Sequence, residues 1–218
     1  MTNPVSDPQP KRSFGNLAID RFLVHCHVRQ VKPKAVLIKS GDVPDTLYFV
    51  VEGSVAVIIE DADGDEIVLA YLNEGEFFGE MGMFLPLARR SAWVRARSPS
   101  RIAEMSYGKF KQLAHEDPDL LFALASQLAA RLVRTTRKVG DLAFLDVTGR
   151  IARTLLELTR EPDSIPQTDG IQIKVSRQEL GRLVGCSREM AGRVLKTLED
   201  GGHIKVKGKA IVVLTEKA

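Results

Sequence analysis

The sequence predicts an α+β chain: an antiparallel β-sandwich or barrel, then one long helix, then a winged helix-turn-helix. Three observations carry this. Between residues 31 and 107, short runs of Val, Ile, Leu, Tyr and Phe alternate with polar residues, and turn signals recur at Ser40-Gly41, Glu52-Gly53, Asp63-Gly64 and Glu74-Gly75. Many short strands at regular spacing are the mark of an antiparallel sandwich or barrel. From about 118 to 144 the period becomes helical. Beyond 145, the stretch SRQELGRLVGCSREMAGRVLKTLEDGG holds two capped helices about a tight glycine turn, the pattern of a helix-turn-helix.

In order along the chain, residues 1–16 are expected as a flexible tail, since the first 15 are polar and hold three prolines. Residues 16–29 suggest a short helix with Leu17, Phe22 and Leu23 inward. The barrel is then expected to occupy 17–117. Within it VVEGSVAVII, DADGDE and IVLAYL look like strands joined by a hairpin.

Residues 118–144 form the long helix, with Pro118 suited to its first turn. Leu121, Ala125, Leu128, Leu132, Thr135, Val139 and Leu142 follow spacings of 4, 3, 4, 3, 4 and 3, a coiled-coil seam across three heptads. A helix packed only on its own barrel also needs an apolar stripe, but so narrow a seam favours a homodimer interface. Thr135 is the polar break in the seam, with Arg131 one turn before it.

Residues 145–218 make the second domain. An amphipathic helix over 148–160 sets Ile151, Leu155 and Leu158 on one face, and EPDSIPQTDG reads as a loop. Ser176 with Glu179 is a capping box, so a helix starts there and ends near Gly185. Ser187 caps the next helix, which runs to about Asp200. Its apolar face is Ala191, Val194, Leu195 and Leu198, and its opposite face Arg188, Glu189, Arg193 and Lys196. HIKVKGKAIVVL gives two strands about Lys207-Gly208, a wing.

Composition bounds what such a chain can do. Its 218 residues are 44% hydrophobic and 6% aromatic, enough for one large or two small cores. No apolar run is long enough to span a bilayer and no signal peptide opens the chain, so a soluble cytoplasmic protein without membrane contact is expected. Cys26 and Cys186 stand far apart, which excludes a disulfide framework and favours two reduced thiols. Net charge is +3; residues 177–218 hold nine Lys/Arg and five Asp/Glu, or +4, leaving −1 for the rest. The C-terminal end is the one expected to meet a polyanion.

The partner expected from the second helix of the motif is double-stranded DNA. Arg188 and Arg193 can read guanine O6 and N7, and Glu189 can accept from cytosine N4. Ser176, Arg177, Gln178 and Ser187 lie at helix starts, where hydroxyls and amides meet phosphates. A solvated helix face would explain the charges but not the capped turn and wing together.

A second candidate is FFGEMGMFLPLARRSAWVRAR, residues 77–97. Glycines, backbone amides, a hydroxyl and arginines close together suit a small anion, which a guanidinium can hold bidentately. Arg89, Arg90, Arg95 and Arg97 could instead be rim charges, and Trp93 is read as core. An enzyme of cupin type would need histidines and a carboxylate on a metal. His25, His27, His115 and His203 are all expected outside the barrel strands, so no metal and no catalytic residue are predicted. A haem or iron–sulfur sensor lacks its ligands.

RQELGRLVGCSREMAGRVLKTLED, AFLDVTGRIARTLL, GSVAVIIED, YLNEGEFFGEMGMF, RRSAWVRA and TTRKVGDLAFLDVTGR resemble the cyclic-AMP receptor protein (catabolite activator) family of bacterial transcription regulators, from about His25 to the end. The resemblance implies a cyclic-nucleotide-binding jelly roll with cyclic AMP as allosteric ligand. Its motif falls on Gly79-Glu80 and Arg90-Ser91, with Arg90 on the phosphate and Glu80 on the ribose 2′-hydroxyl. Arg131 matches a residue that braces the site, and Thr135 one that meets the adenine amino group. Thr136 stands where the best-known member has Ser, a hydroxyl supplied to the other subunit's ligand.

The same resemblance implies a two-fold operator with TGTGA-like half-sites and contact with RNA polymerase through His27, Arg29 and Lys109. Pro166 departs from the family's usual polymerase-contacting loop. Met190-Ala191 replace Thr and Val, as in a plant-pathogen branch that responds to cyclic di-GMP. That branch does not keep the Arg-Ser pair, which points here to cyclic AMP. A cyclic di-GMP-responsive or nucleotide-independent regulator is the alternative.

Overall fold

A computed structural model describes residues 13–85 and 89–214. Most of the expected N-terminal tail lies outside the described residues. Helix α1 (Leu17–Val24) begins where Asn16 Oδ1 accepts the amides of Ala18 and Ile19 at 3.0 and 3.3 Å. It is shorter than the expected 16–29 because Val-rich HVRQV is already strand β1 (His27–Val31). Ala18, Ile19 and Phe22 face inward, whereas Leu17, expected inside, is 74% exposed.

The barrel continues through β2 (Val36–Ile38), β3 (Thr46–Glu52), β4 (Ser54–Glu60), β5 (Glu66–Asn73), β6 (Phe77–Phe78), α2 (Met81–Phe84), β7 (Trp93–Ala96) and β8 (Ser100–Ser106). Two four-stranded antiparallel sheets result, in the orders β1-β8-β3-β6 and β2-β7-β4-β5. The glycines of all four expected turns have positive φ. Strand β3 shows why this is a closed double layer. Leu47, Phe49 and Val51 point outward onto helices, while Val50 points between the sheets with Val55, Leu72, Phe78 and Ile102. Both faces of β3 are buried, so its sequence runs apolar instead of alternating.

His27 is the first residue of β1, paired opposite Glu104 and exposed. This corrects the expectation that all four histidines lie outside the barrel strands; a Val-rich neighbourhood extends the strand to include it.

Helix α3 (Tyr107–Glu116), where no element was expected, is capped by Ser106 and buries Phe110 and Ala114. Helix α4 (Asp119–Phe144) follows, with Pro118 at its N-cap. One side of α4 seats Leu120, Ala123 and Leu124 on the barrel. Gln127 fastens it there: Oε1 accepts from the Phe77 amide at 2.8 Å and Nε2 donates to the Gly75 carbonyl at 2.7 Å. Of the expected seam, Leu128 packs partly buried against this same barrel core, whereas Leu121, Leu132, Val139 and Leu142 are exposed. The stripe is therefore shared: Leu128 serves the chain's own barrel, and the leucines and valine beyond it are left uncovered.

The C-terminal domain comprises α5 (Val147–Leu158), β9 (Ile165–Gln167), β10 (Gly170–Lys174), α6 (Arg177–Val184), α7 (Arg188–Asp200), β11 (Ile204–Lys207) and β12 (Ala210–Leu214). Its sheet runs β11-β12-β10-β9 around a core that includes Ile151, Leu155, Leu180, Ala191, Leu195 and Ile211. The segment expected as a loop contains edge strand β9, where Pro166 lies opposite Ile171. Proline is tolerated because an edge strand can spare one donor.

This domain docks on the barrel. Tyr71 Oη donates to Glu179 Oε1 at 2.6 Å, Asn73 Nδ2 donates to Glu161 Oε2 at 2.8 Å, and Arg182 Nη1 lies 3.0 Å from Glu66 Oε2. The capping box is thus half made: Ser176 Oγ accepts the Glu179 amide at 3.1 Å, but the Glu179 carboxylate is engaged by the barrel.

Candidate functional site

A cleft opens where the end of β6, helix α2 and the segment before β7 meet α4. It brings together Gly79, Glu80, Arg90, Ser91 and Arg131, with Ile38, Val57 and Val94 as its apolar wall. Gly79 has φ +77°, and a Cβ there would stand 3.0 Å from Arg90 Nη1 and 3.0 Å from Tyr48. Only glycine lets this backbone come so close to the guanidinium.

Arg90 is not a loose rim charge. Its amide donates to the Asp42 carbonyl at 2.7 Å and its carbonyl accepts from the Gly41 amide at 2.9 Å. In the side chain, Nη1 donates to the Gly79 carbonyl at 2.7 Å and to Tyr107 Oη at 2.9 Å, and Nη2 donates to the Thr46 carbonyl at 2.8 Å. A guanidinium carries five N–H groups in a fixed fork, so these three bonds aim it while Nε–H and one Nη2–H have no partner among the described residues and can meet an anion.

Glu80 is 4% exposed, and its Oε1 lies 3.0 Å from Arg131 Nη1. It makes no side-chain cap bond to α2. A carboxylate neutralised on one oxygen keeps acceptor capacity for a hydroxyl. Arg131 also donates from Nη2 to the Phe77 carbonyl at 2.6 Å, while its buried Nε has no hydrogen-bond partner among the described residues. Ser91 is exposed, its Oγ 3.9 Å from Met81 Sδ.

Thr135 and Thr136 do not join the cleft of this chain. Both are exposed on α4, one turn beyond Arg131. Arg95 and Arg97 are engaged elsewhere, Arg95 with Glu66 and over the Trp93 ring at 5.4 Å, Arg97 over Tyr71 at 3.6 Å. Trp93 is partly buried against Ala56 and Ile58.

Sequence reasoning passed over Tyr48, Tyr107 and Gln127. Burial raises the phenol pKa of both tyrosines, with Arg90 opposing the shift. The sequence carries no signal for these partners; in the structure each of the three tyrosine rings lies beside an arginine, Tyr48 and Tyr107 at 5.9 and 5.7 Å from Arg90 and Tyr71 beside Arg97.

The second constellation is on α6 and α7. Ser187 Oγ caps α7 by accepting the Met190 amide at 3.2 Å. Arg188, Glu189, Arg193 and Lys196 are exposed on one face of α7, with Ala191, Val194 and Leu195 buried on the other. Arg177 is exposed at the start of α6, its stem alongside Gly192. Ser176 and Gln178 line the wide cleft against the barrel. A Cβ on Gly181 would stand 2.5 Å from the Cys186 carbonyl oxygen, so the turn closes on a bare backbone. Arg150 locks this unit to α5, donating from Nε to the Val184 carbonyl at 3.2 Å and from Nη1 to the Leu145 carbonyl at 3.1 Å. An exposed Arg-bearing helix, backed by a capped helix and flanked by a wing, is the arrangement that a major-groove reader uses.

Two family models match the chain: "Cyclic nucleotide-binding domain" over residues 28–117 and "Crp-like helix-turn-helix domain" over residues 149–218. The cAMP-activated global transcriptional regulator Vfr of Pseudomonas aeruginosa is 55% identical, covering 89% of this chain and 92% of that protein. The cAMP-activated global transcriptional regulator CRP of Salmonella typhimurium is 54% identical over 89% of this chain and 93% of that one. Among solved structures, the c-di-GMP responsive global regulator CLP of Xanthomonas campestris superposes with a TM-score of 0.85 at 46% identity, covering 91% of this chain and 98% of that one.

Proposed function

Because this chain belongs to the cyclic-AMP receptor protein family of bacterial transcription regulators, we propose that it is a cyclic-AMP-activated regulator that binds two-fold operators as a homodimer in the cytoplasm. One observation carries the ligand reading: a pinned guanidinium, Arg90, and a buried carboxylate, Glu80, share one cleft. The first suits a cyclic phosphate and the second a ribose hydroxyl.

Arg131 ties that cleft to α4, so ligand and helix are read as one unit. Thr135 and Thr136 enter this reading as residues completing the site once two α4 helices are paired, Thr136 in the partner's site. The exposed stripe of Leu121, Leu132, Val139 and Leu142 is the surface assigned to that pairing. Arg188, Glu189 and Arg193 are assigned to base edges, and Ser176, Arg177, Gln178, Ser187 and Lys196 to phosphates. Contact with RNA polymerase is assigned to the patch of His27, Arg29 and Lys109.

The reading is tested by fluorescence anisotropy of a labelled TGTGA…TCACA duplex at fixed salt, with no nucleotide, cyclic AMP, cyclic GMP or cyclic di-GMP. Tightening by cyclic AMP alone is expected. Binding without nucleotide that cyclic di-GMP weakens would instead make the chain cyclic di-GMP-responsive, as the Xanthomonas regulator is named, and would fit the Met190-Ala191 pair.

A further inference from the structure

Tyr107 stands at the junction of β8 and α3, its amide donating to the Asp45 carbonyl at 2.8 Å. Its hydroxyl does two things at once. It accepts a hydrogen bond from Arg90 Nη1 at 2.9 Å, and it donates to the carbonyl of Gly79. Arg90 Nη1 reaches the same carbonyl at 2.7 Å. The three groups close a small ring, and Nη2, held by the Thr46 carbonyl at 2.8 Å, fixes the guanidinium plane from the opposite side.

From this geometry we propose that Tyr107 is a positioning residue for the anion site, holding the Arg90 fork and the Gly79 backbone in the arrangement that receives a cyclic phosphate. The inference rests on the reading of the cleft as a cyclic-nucleotide site. A long arginine side chain left free loses its rotamer freedom when it is ordered on a ligand. Pinned before the ligand arrives, Arg90 loses little more, and that difference becomes affinity. Burial keeps the phenol protonated, so the hydroxyl remains a donor to Gly79 while it accepts from Arg90. The site leaves no slack: a Cβ on Gly82 would lie 3.1 Å from the Tyr107 hydroxyl and 2.4 Å from Pro44.

The test uses the full chain as wild type and as Tyr107→Phe, which keeps the ring and removes only the hydroxyl. Isothermal titration with cyclic AMP gives affinity, and NMR of arginine-labelled protein gives the rotation rate of the Arg90 guanidinium. Wild type is expected to show slowly exchanging, separately resolved Arg90 Nη–H signals without ligand. The variant is expected to show averaged signals, an unchanged cooperative melt, and cyclic AMP affinity weakened about tenfold.

Affinity within twofold of wild type would overturn the proposal. So would weaker affinity with the Arg90 signals unchanged, since Tyr107 would then act through something else. Loss of the cooperative melt would also overturn it, by making the hydroxyl a requirement of folding. A wild type that binds no cyclic nucleotide overturns the cleft reading and the proposal together, and the wild-type titration alone distinguishes that case.

Discussion

Arg131 Nη1 lies 3.0 Å from Glu80 Oε1, and this ion pair joins the long helix to the floor of the cleft. Glu80 is 4% exposed, so Arg131→Ala would strand a buried carboxylate. The expected cost is about 3 kcal/mol in urea unfolding. The double variant Glu80→Gln, Arg131→Met should recover most of that loss. A double variant that loses the sum of its single changes would show that the two residues do not act as a pair.

One of the contacts between the domains can be removed by deleting a single atom. Tyr71→Phe deletes the donor to Glu179 and leaves that carboxylate without its 2.6 Å partner. Docking should weaken by about 1–2 kcal/mol. Hydrogen exchange should quicken at α6 and β5 while the barrel interior is unchanged. Equal protection in variant and wild type would mean the hydrogen bond contributes nothing to docking.

Gly181→Ala places a methyl group 2.5 Å from the Cys186 carbonyl oxygen. Backbone cannot yield as a side-chain end can, so a loss of about 1–3 kcal/mol is expected, centred on the C-terminal domain. Operator affinity should fall with it, because the same turn sets α7 against α6. Far-UV circular dichroism melts and anisotropy together check this.

Alkaline stability should reflect two buried acids. Burial pushes the Cys26 thiol from 9.0 up to about 12, with Lys109 opposing, and burial also raises the Tyr71 phenol. Both groups are held neutral in the folded chain and ionise more easily when it unfolds. Their stabilisation is therefore present below the unfolded value and lost as pH rises. For Cys26 the slope between about pH 9 and 12 is on the order of 1.4 kcal/mol per unit. Cys26→Ala should flatten that part of the profile in urea titrations at stepped pH.

Leu132 and Val139 are 67% and 60% exposed on α4. Leu132→Glu sets a charge in the middle of the proposed pairing seam. Sedimentation should find a dimer in wild type and a monomer in the variant. Wild type sedimenting as a monomer at micromolar concentration would remove the homodimer from the reading.

Local chemistry made much of this molecule legible before its structure. The seam spacing picked out the exposed Leu132, Val139 and Leu142, but it also took in Leu128, which packs on the barrel, because a repeat of about 3.5 residues does not say what covers each position. Ser176 and Ser187 marked the starts of α6 and α7, because a cap is a property of adjacent residues. Gly79, Glu80, Arg90, Ser91 and Arg131 were named from motif resemblance and do meet in one cleft. What escaped depends on distance along the chain. Tyr107 meets Arg90 across 17 positions, Gln127 meets Gly75 across 52 and Tyr71 meets Glu179 across 108. No local pattern encodes such partners. Leu17 was misplaced because six of the eight residues of α1 are apolar, so no single face stands out to fix its phase, and β9 was taken for a loop because proline hides an edge strand.

The length of α4 has a mechanical consequence. Its 26 residues span about 39 Å at 1.5 Å per residue. Arg131 is near the midpoint, so about 20 Å of rigid rod separates the Glu80 contact from Phe144, with two residues between it and the start of α5. A tilt of only about 5° about that fulcrum sweeps the far end through roughly 1.7 Å at this rise per residue. A displacement too small to disturb barrel packing thus becomes, at the end of the arm, a shift about as large as a helix slides when an interface changes state.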